Sequence, residues 1–360
     1  MKLFKEVTNS ILHHVSHKER GRHRYGQSDL FVTGKRHTGL LPKTIALFLT
    51  LTLLIIQAGP AKAVVREQEP TALRSATVDG ASGRAVDAIA GFSDGSVPSG
   101  ARLYILAVGI NKYENPKYTL RYGRSDAETF VQAVEQHGKN VFSRIITQTI
   151  YDTQANRRNI EAAFNRIIAE AQPEDVFVFY YAGHGVLSKG DTSDKPEFYM
   201  ALTDVTSLTG ENAMFEERGL SALLLRNLSF RIKAQKQLLV LDACHSGGAL
   251  ERFAAEGPAD GYTPLQLGKS AGITVLAAAG TDQPATEFKQ LGHGVFTYAL
   301  VKGLGGEADR GDAPDGRITV RELEAYLNEQ VPALISRYKG KAQSPNSFVR
   351  GSDFTLGAKQ

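Results

Sequence analysis

Two stretches of the chain decide its expected fold: DVFVFYYAGHG at residues 175–185 and QLLVLDACHSGG at residues 237–248. Each begins with an apolar run and ends in glycines beside a reactive side chain, His184 in the first and Cys244 in the second. A short apolar run between polar turns is typical of a strand buried on both faces of a parallel sheet. Functional residues of such sheets lie just beyond the carboxyl ends of the strands. If the two strands are neighbours, about 4.8 Å apart, the two side chains are expected to converge on one cleft.

The surrounding sequence alternates strand patterns with helix patterns. Apolar runs predict further strands at residues 102–110, 144–150 and 273–279. Helical spacing of apolar residues predicts helices at residues 125–136, 156–171, 219–235, 296–303 and 320–337. Ser125 with Glu128 predicts a capping box on the first helix, and Thr319 predicts the N-cap of the last. This alternation predicts an α/β fold with a mostly parallel central sheet.

Composition and charge narrow the classes of function. The 360 residues are 42% hydrophobic and 22% charged, which is ordinary for a soluble globular protein. The net charge of +4 comes from residues 1–63, which hold ten Lys and Arg but three Asp and Glu. The remaining chain is therefore slightly acidic and shows no basic face, so nucleic acid is not an expected partner.

The N-terminal region predicts export. Residues 44–56 are uncharged and strongly apolar, Lys43 precedes them, and Ala61-Lys62-Ala63 follows. This pattern predicts a secretory signal peptide and a periplasmic or extracellular protein. The alternative is an uncleaved anchor that tethers the protein to a membrane through residues 44–56, although a span usually needs about 20 residues. Residues 64–100 read as a flexible linker, and the folded domain is expected over residues 101–355.

Cys244 is the only cysteine of the chain, and its neighbours favour catalysis over a buried, inert thiol. A thiol attacks as its thiolate, which a nearby imidazole such as that of His184 can generate. The backbone N–H groups of Gly185 and Cys244 are candidate donors to the oxyanion of an attacked carbonyl.

Two other histidines are weaker candidates for the base. His245 is expected to point away from its neighbour Cys244, and His293 is expected to cap or pack before the helix at 296–303.

Five segments together resemble caspase-like cysteine peptidases, most closely the metacaspase and bacterial caspase-homologue branch. The segments are AVGINKY (107–113), LRYGRSDAETF (120–130), YYAGHG (180–185), LLVLDACHSGG (238–248) and HGVFTYAL (293–300). The resemblance implies a three-layer α/β/α sandwich and a cysteine endopeptidase with a Cys244–His184 dyad. It also implies protein or peptide substrates, no organic cofactor or structural metal, and a monomer.

The departures from true caspases concern specificity. The segment DACHSGG stands where caspases carry a QACRG-type sequence. The resemblance to metacaspases implies that Asp126 and Asp242 line an acidic pocket for the residue before the scissile bond, the P1 residue. Cleavage after Arg or Lys is then expected, because carboxylates suit a guanidinium. The alternatives are a helix-start role for Asp126 and a turn role for Asp242.

Two further segments carry weaker predictions. Residues 251–270 match the loop that caspases cut on activation, so Arg252 and Lys269, with Arg218 in another loop, are candidate self-cleavage sites. An ordinary surface loop is the alternative.

Residues 309–322 resemble an EF-hand loop, but Gly311 and Ala313 stand where carboxylates are required. A turn into a helix capped by Thr319 is expected instead, and calcium activation through another site stays open.

Two other classes of function fit the same motifs. One is a caspase-like module without catalytic activity, used for binding. The other is an amide or thioester hydrolase that acts on substrates other than proteins. The presence of His184 and Cys244 with their flanking glycines favours a catalyst over the binding module.

Overall fold

The computed structural model describes residues 95–188, 196–209, 212–255, 272–310 and 314–360. The predicted signal segment at 44–56, nearly all of the predicted linker and Lys269 lie outside these residues. No helix in the described part of the chain is long and apolar enough to cross a membrane.

Within the described residues, six strands form the central sheet: β1 (Arg102–Gly109), β2 (Arg144–Tyr151), β3 (Val176–Ala182), β7 (Lys236–Asp242), β8 (Gly272–Ala277) and β12 (Asn346–Arg350). They lie in the order β12–β8–β7–β3–β1–β2 across the sheet. Neighbouring strands are parallel except for β12, which pairs antiparallel with β8 at one edge. The mostly parallel sheet expected from the apolar runs is confirmed.

Helices cover both faces of this sheet. They are α1 (Gly123–Gly138), α2 (Arg157–Glu170), α3 (Asn212–Arg218), α4 (Ala222–Arg231), α5 (Leu250–Ala254), α6 (Val295–Lys302) and α7 (Val320–Tyr338). Successive strand residues point to opposite faces, so Leu239 joins the apolar core beneath α2 and α4, while Leu238 joins the core beneath α1, α6 and α7. The expected three-layer α/β/α sandwich is confirmed.

Helix ends test the local predictions. Thr319 caps α7 in a capping box with Glu322, as expected. The capping box predicted for Ser125 is wrong, because α1 begins earlier, after Tyr122, and the Ser125 hydroxyl donates to the Tyr122 carbonyl. The helix predicted over 219–235 is too long. Its first residues form a short strand, and Ser221 caps the helix that follows.

Short strands complete the fold near the carboxyl edge of the sheet and at its periphery. None of them was predicted. They are β4 (Gly185–Leu187), β5 (Phe198–Met200) and β6 (Leu220–Ser221) in one small sheet, β9 (Glu287–Phe288) with β10 (His293–Gly294), and β11 (Arg317–Thr319) with β13 (Thr355–Ala358).

Candidate active site

The register of two central strands places the predicted nucleophile and base at the same level. Strands β3 and β7 are parallel neighbours, and Ala182 pairs with Asp242. His184 and Cys244 each follow that pair by two residues. They line one cleft of about 290 Å³ at the carboxyl edge of the sheet. The convergence expected from the two sequence stretches is thus present in the fold.

The ring of His184 is oriented by a backbone carbonyl. Its Nε2 lies 2.8 Å from the carbonyl oxygen of Tyr118. A carbonyl only accepts hydrogen bonds, so Nε2 carries the proton of the neutral ring and Nδ1 is the nitrogen that can take up another. Burial lowers the pKa of His184, which keeps the ring neutral near pH 7. The chemistry available to this side chain is therefore that of a base.

Two buried tyrosine hydroxyls hold the backbone of His184. The Tyr113 hydroxyl accepts the His184 N–H at 2.9 Å, and the Tyr181 hydroxyl lies 2.8 Å from the His184 carbonyl oxygen. A Cβ on Gly183 would lie 2.5 Å from the Tyr181 oxygen and 2.8 Å from the Tyr113 oxygen. Only glycine therefore fits between the end of β3 and these hydroxyls.

The thiol of Cys244 is half-buried and accepts the Ala285 N–H, with 3.2 Å between nitrogen and Sγ. Burial raises the pKa of Cys244 more than this hydrogen bond lowers it, and the charges of Asp242 and Glu287 raise it further. A protonated thiol therefore faces the cleft together with a neutral imidazole. This pair suits proton transfer during attack rather than a preformed thiolate–imidazolium ion pair.

Backbone hydrogen bonds narrow the choice of oxyanion donors. The N–H groups of His245, Gly247 and Gly248 donate to backbone carbonyl oxygens of Gln283, Ala279 and His245, respectively. These three N–H groups already donate within the backbone and are not available to an oxyanion. The predicted N–H groups of Gly185 and Cys244 therefore remain the candidate oxyanion donors. A Cβ on Gly185 would overlap the Cys244 carbonyl oxygen, so this close approach requires glycine.

Asp126 and Asp242, predicted to form the P1 pocket, line the same cleft as His184 and Cys244. Asp242 is buried and accepts a hydrogen bond from the Thr297 hydroxyl at 2.6 Å. Asp126 is buried on α1 and accepts the Gly294 N–H at 3.0 Å. Gly294 separates the two carboxylates, since a Cβ there would lie 3.1 Å from Asp126 Oδ2 and 3.3 Å from Asp242 Oδ2.

Burial raises the pKa values of both carboxyl groups, and their closeness adds to the rise for Asp242. Burial, reinforced by the charge of Asp126, raises the pKa of Asp242 to about 7. Burial also raises the pKa of Asp126, but the hydrogen bonds from His293 and Gly294 oppose that rise. Asp126 is therefore the carboxylate that is more readily ionised, and Asp242 changes its charge near neutral pH.

Glu287 adds a carboxylate that the sequence analysis missed. It lies on β9, lines the cleft, and has a pKa raised chiefly by burial and further by the charge of Asp126. It follows Ala285, the residue that contacts the thiol, by two positions. Its segment lacks strand or helix periodicity, so no sequence signal placed it beside Cys244.

The competing histidines have partners of their own. His245 adopts a left-handed backbone conformation with φ 61°, and its Nδ1 lies 2.6 Å from the Thr281 carbonyl oxygen. His293 was expected to cap or pack before the next helix; it lies part-buried directly before α6, but the capping role is wrong. Its Nδ1 lies 2.6 Å from Asp126 Oδ1, and α6 begins after Gly294 without a side-chain cap.

Two glutamine side chains hold the loop after β8 that forms one wall of the cleft. Gln343 is buried, accepts the Thr286 N–H at 2.9 Å and donates to the Ala278 carbonyl at 2.9 Å. The Gln283 side chain accepts N–H groups from Gly280 and Ser344. The loop that carries Ala285, whose N–H contacts the Cys244 thiol, is therefore hydrogen-bonded to the segment that precedes β12.

The candidate self-cleavage residues lie in folded surroundings. Arg252 belongs to α5 and forms an ion pair with Glu197. Arg218 ends α3 and donates to the Asp204 carbonyl at 3.0 Å. Cleavage after either residue would require its helix to unwind locally. These two positions, like Lys269, remain predictions.

The EF-hand-like segment forms a turn in its described part. Asp309 accepts N–H groups from Asp315 and Gly316 and pairs with Lys359 Nζ at 2.8 Å. The turn leads into α7, which Thr319 caps, as expected. No group of three or more His, Cys, Asp or Glu side chains among the described residues is placed to hold a metal ion.

An α/β/α sandwich whose central parallel strands deliver a histidine and a cysteine to one cleft is the architecture of a cysteine hydrolase. The sequence model of the caspase domain matches residues 102–350, which include every element of the central sheet. The chain belongs to the caspase domain family, a family of cysteine peptidases.

Curated relatives agree with this assignment over part of the chain. Metacaspase-1 of Mycosarcoma maydis is 28% identical over 149 residues, which are 41% of this chain and 36% of that protein. Metacaspase III c of Phaeodactylum tricornutum is 25% identical over 150 residues, which are 41% of this chain and 43% of that protein. The aligned region thus spans less than half of either relative.

A solved structure also aligns with the fold. It is the crystal structure of a protein from Geobacter sulfurreducens, at 17% identity and a TM-score of 0.47, covering 70% of this chain and 94% of that one.

Proposed function

We propose that this protein is a cysteine endopeptidase that cleaves after Arg or Lys, with Cys244 as nucleophile and His184 as base. The observation that carries the proposal is the matched register of β3 and β7, which brings both residues to one cleft beside carboxylates. Membership of the caspase domain family supports peptide bonds as the substrate.

The attack step follows from the protonation states of the two side chains. Sγ of Cys244 attacks the scissile carbonyl carbon while Nδ1 of His184 takes the thiol proton. The C–S bond forms, and the carbonyl electron pair moves to oxygen. The N–H groups of Gly185 and Cys244 are assigned to that oxyanion. The Tyr118 carbonyl favours this step, because it accepts from Nε2 and stabilises the imidazolium that forms.

The second half of the reaction uses the same histidine. The tetrahedral intermediate collapses, the C–N bond breaks, and Nδ1 returns its proton to the leaving amine. A thioester to Cys244 remains. His184, now neutral, takes a proton from a water whose oxygen attacks the thioester carbonyl carbon. The C–S bond then breaks, His184 returns its proton to Sγ, and the carboxylic acid product leaves.

The carboxylates of the cleft support a preference for a basic P1 residue. Asp242 stands two residues before the nucleophile, and Asp126 and Glu287 line the same space. A guanidinium presents several N–H donors in one plane and can bind two carboxylate oxygens at once. A substrate cation would also offset the charges that raise the pKa of Cys244, so binding and activation of the thiol favour each other.

Peptide hydrolysis by the full chain tests the proposal. Fluorogenic peptides that differ only in P1, carrying Arg, Lys or Asp, are compared for the native protein and for Cys244→Ala. We expect turnover of the Arg and Lys peptides and none in the variant. Asp126→Asn and Asp242→Asn should each lower kcat/KM for the Arg peptide by about ten- to a hundredfold, the value of one charge-assisted hydrogen bond.

Each contrary result has a distinct meaning. Turnover of the Asp peptide alone would retain a peptidase but contradict the acidic pocket. Turnover that persists in Cys244→Ala would contradict the nucleophile. A lack of turnover for every peptide, with and without added calcium, would favour the caspase-like binding module instead.

A further inference from the structure

His293 contacts a carboxylate of the cleft and not the nucleophile. Its Nδ1 lies 2.6 Å from Oδ1 of Asp126, whose side chain is 3% exposed, while the His293 side chain is 25% exposed. Asp126 Oδ2 accepts the Gly294 N–H at 3.0 Å. An imidazole from β10 thus reaches a buried carboxylate on α1, and it is a partner that can carry a compensating positive charge.

Other charged groups share this region. Asp242 lies across Gly294 from Asp126, and Glu287 belongs to β9, where it pairs with Gly294 in the two-stranded sheet. Arg121 lies near Glu287 and partly offsets its charge. Among these described neighbours of the cleft, His293 is the group in direct contact with Asp126 whose charge changes within the physiological pH range.

We propose that His293 sets how much negative charge the cleft presents to the P1 side chain, so that the preference for a cationic P1 residue grows as His293 loses its proton. His293 acts through Asp126 and is therefore a positioning residue that determines specificity. The inference rests on the proposed function, because it concerns the same pocket and the same basic substrates.

The sign follows from the ion pair. Protonated His293 neutralises Asp126, and Asp126 in turn raises the pKa of His293. When the proton leaves, neutral His293 can still donate from Nδ1, so the carboxylate keeps its position but loses its counter-charge. Asp242 ionises in a similar pH range and changes the charge of the cleft in the same direction. A test must therefore separate the two groups.

The first experiment compares two peptides that differ only in P1, one with Arg and one with its neutral isostere citrulline. The ratio of their kcat/KM values is measured from pH 5.5 to 9 for the full chain and for His293→Asn, whose amide can donate from a position near Nδ1 without charge. An opposite charge at this range shifts a pKa by one unit or more, and one unit is a factor of ten. At pH 6 we expect an Arg-to-citrulline ratio about tenfold higher in His293→Asn than in the native protein, with a flatter pH profile.

Asp242→Asn is the matched control, since it removes the other titration and should keep the rise that belongs to His293. An unchanged ratio profile in His293→Asn would overturn the inference. An equal loss of kcat/KM for both peptides would overturn it as well, because that result indicates a merely structural role. Thermal unfolding monitors the fold of the variant, and His293→Gln replaces it if the asparagine variant unfolds.

A binding measurement separates this inference from the proposed function. Agmatine carries a guanidinium and no scissile bond, so calorimetry in buffers of different ionisation enthalpy reports the protons released when it binds. Binding of the cation should expel the His293 proton, so the native protein should release more protons at pH 7 than His293→Asn. If no peptide is cleaved but this difference is found, the peptidase proposal fails, and of the His293 inference only the control of cation binding in the cleft is retained. If Arg peptides are cleaved and the difference is absent, the role of His293 falls alone.

Discussion

Replacing Asp242 with asparagine should stabilise the folded protein and weaken its preference for basic substrates. The carboxyl group is buried at the end of β7, and burial with the nearby charge of Asp126 raises its pKa from 3.8 to about 7. A raised carboxyl pKa means that the folded state resists ionisation of this group. The substitution removes that penalty and keeps an oxygen that can accept from the Thr297 hydroxyl.

The size of the effect depends on pH. Well below the ordinary pKa of 3.8 the carboxyl group is protonated in both the folded and the unfolded chain, so the substitution should change the free energy of unfolding little. Between about pH 4 and 7 the unfolded chain ionises first, so the folded state binds more protons and its stability falls as pH rises. Above about pH 7 the carboxyl group is ionised in both states, and the loss of folding stability caused by its raised pKa reaches its full value. A shift of about three units corresponds to about 4 kcal/mol, which is the ceiling for the gain.

Urea denaturation of the full chain at pH 4, 6 and 8 measures this gain. We expect Asp242→Asn to raise the free energy of unfolding by about 2–4 kcal/mol at pH 8 and by well under about 1 kcal/mol at pH 4, which lies close to the ordinary carboxyl pKa. Asp175→Asn is the control of opposite sign. Asp175 is also buried, but its ion pair with Arg102 at 2.7 Å and its backbone hydrogen bonds lower its pKa. That variant should lose stability at pH 8.

Activity gives the other half of the result. Asp242→Asn should lose turnover of an Arg peptide while its fold becomes more stable, which is the expected cost of keeping a carboxylate ready for a substrate cation. A loss of stability at pH 8, or a gain that is the same at pH 4 and pH 8, would refute the reasoning. The first result would mean that Asp242 has a compensating partner, and the second that its ionisation is not the cause.

Further predictions concern the walls of the cleft. Gly294→Ala places a Cβ between two carboxylates, so kcat/KM for Arg peptides should fall at least tenfold while the melting temperature changes by a few degrees; equal activity would show that the cleft widens freely. Tyr113→Phe removes the acceptor of the His184 N–H, which costs about 1–3 kcal/mol and should lower kcat about tenfold with little change in KM; an effect on KM alone would contradict a role in orienting the base. Glu287→Gln removes a charge that raises the pKa of Cys244, so iodoacetamide should alkylate the thiol faster at pH 8; an unchanged rate would place Glu287 outside electrostatic reach.

The sequence predicted the inner strands of the central sheet well because these strands are buried on both faces. The edge strand β12 is exposed or half-buried along its length, and it was not predicted. Runs such as VFVFYYA and LLVLD are fully or almost fully buried, so periodicity and length were enough. The short strands had no such signal. Leu220–Ser221 is a two-residue strand followed at once by a helix, and apolar spacing alone merged the two. Ser125 looked like a cap, but α1 had already begun two residues earlier.

The candidate site was predictable where it follows strands and not where it depends on loops. His184 and Cys244 could be placed because each stands just beyond a strand end. Glu287 could not, since it reaches the cleft through a loop and a two-residue strand. The pairing of His293 with Asp126 joins residues 167 positions apart. Such a contact depends on how α1 and β10 pack and leaves no trace in either local sequence.

The shared position of His184 and Cys244 beyond one matched pair of strand residues also bears on how this family can diverge. Substitutions on α1, β9 or β10 can change which side chain is accepted while the spacing of the reacting pair stays the same. An insertion of a single residue within β7 would be different, because it would turn every following side chain of that strand to the opposite face. The elements around the cleft can therefore change without moving the reacting pair, whereas the lengths of β3 and β7 must stay matched to keep His184 and Cys244 at the same level.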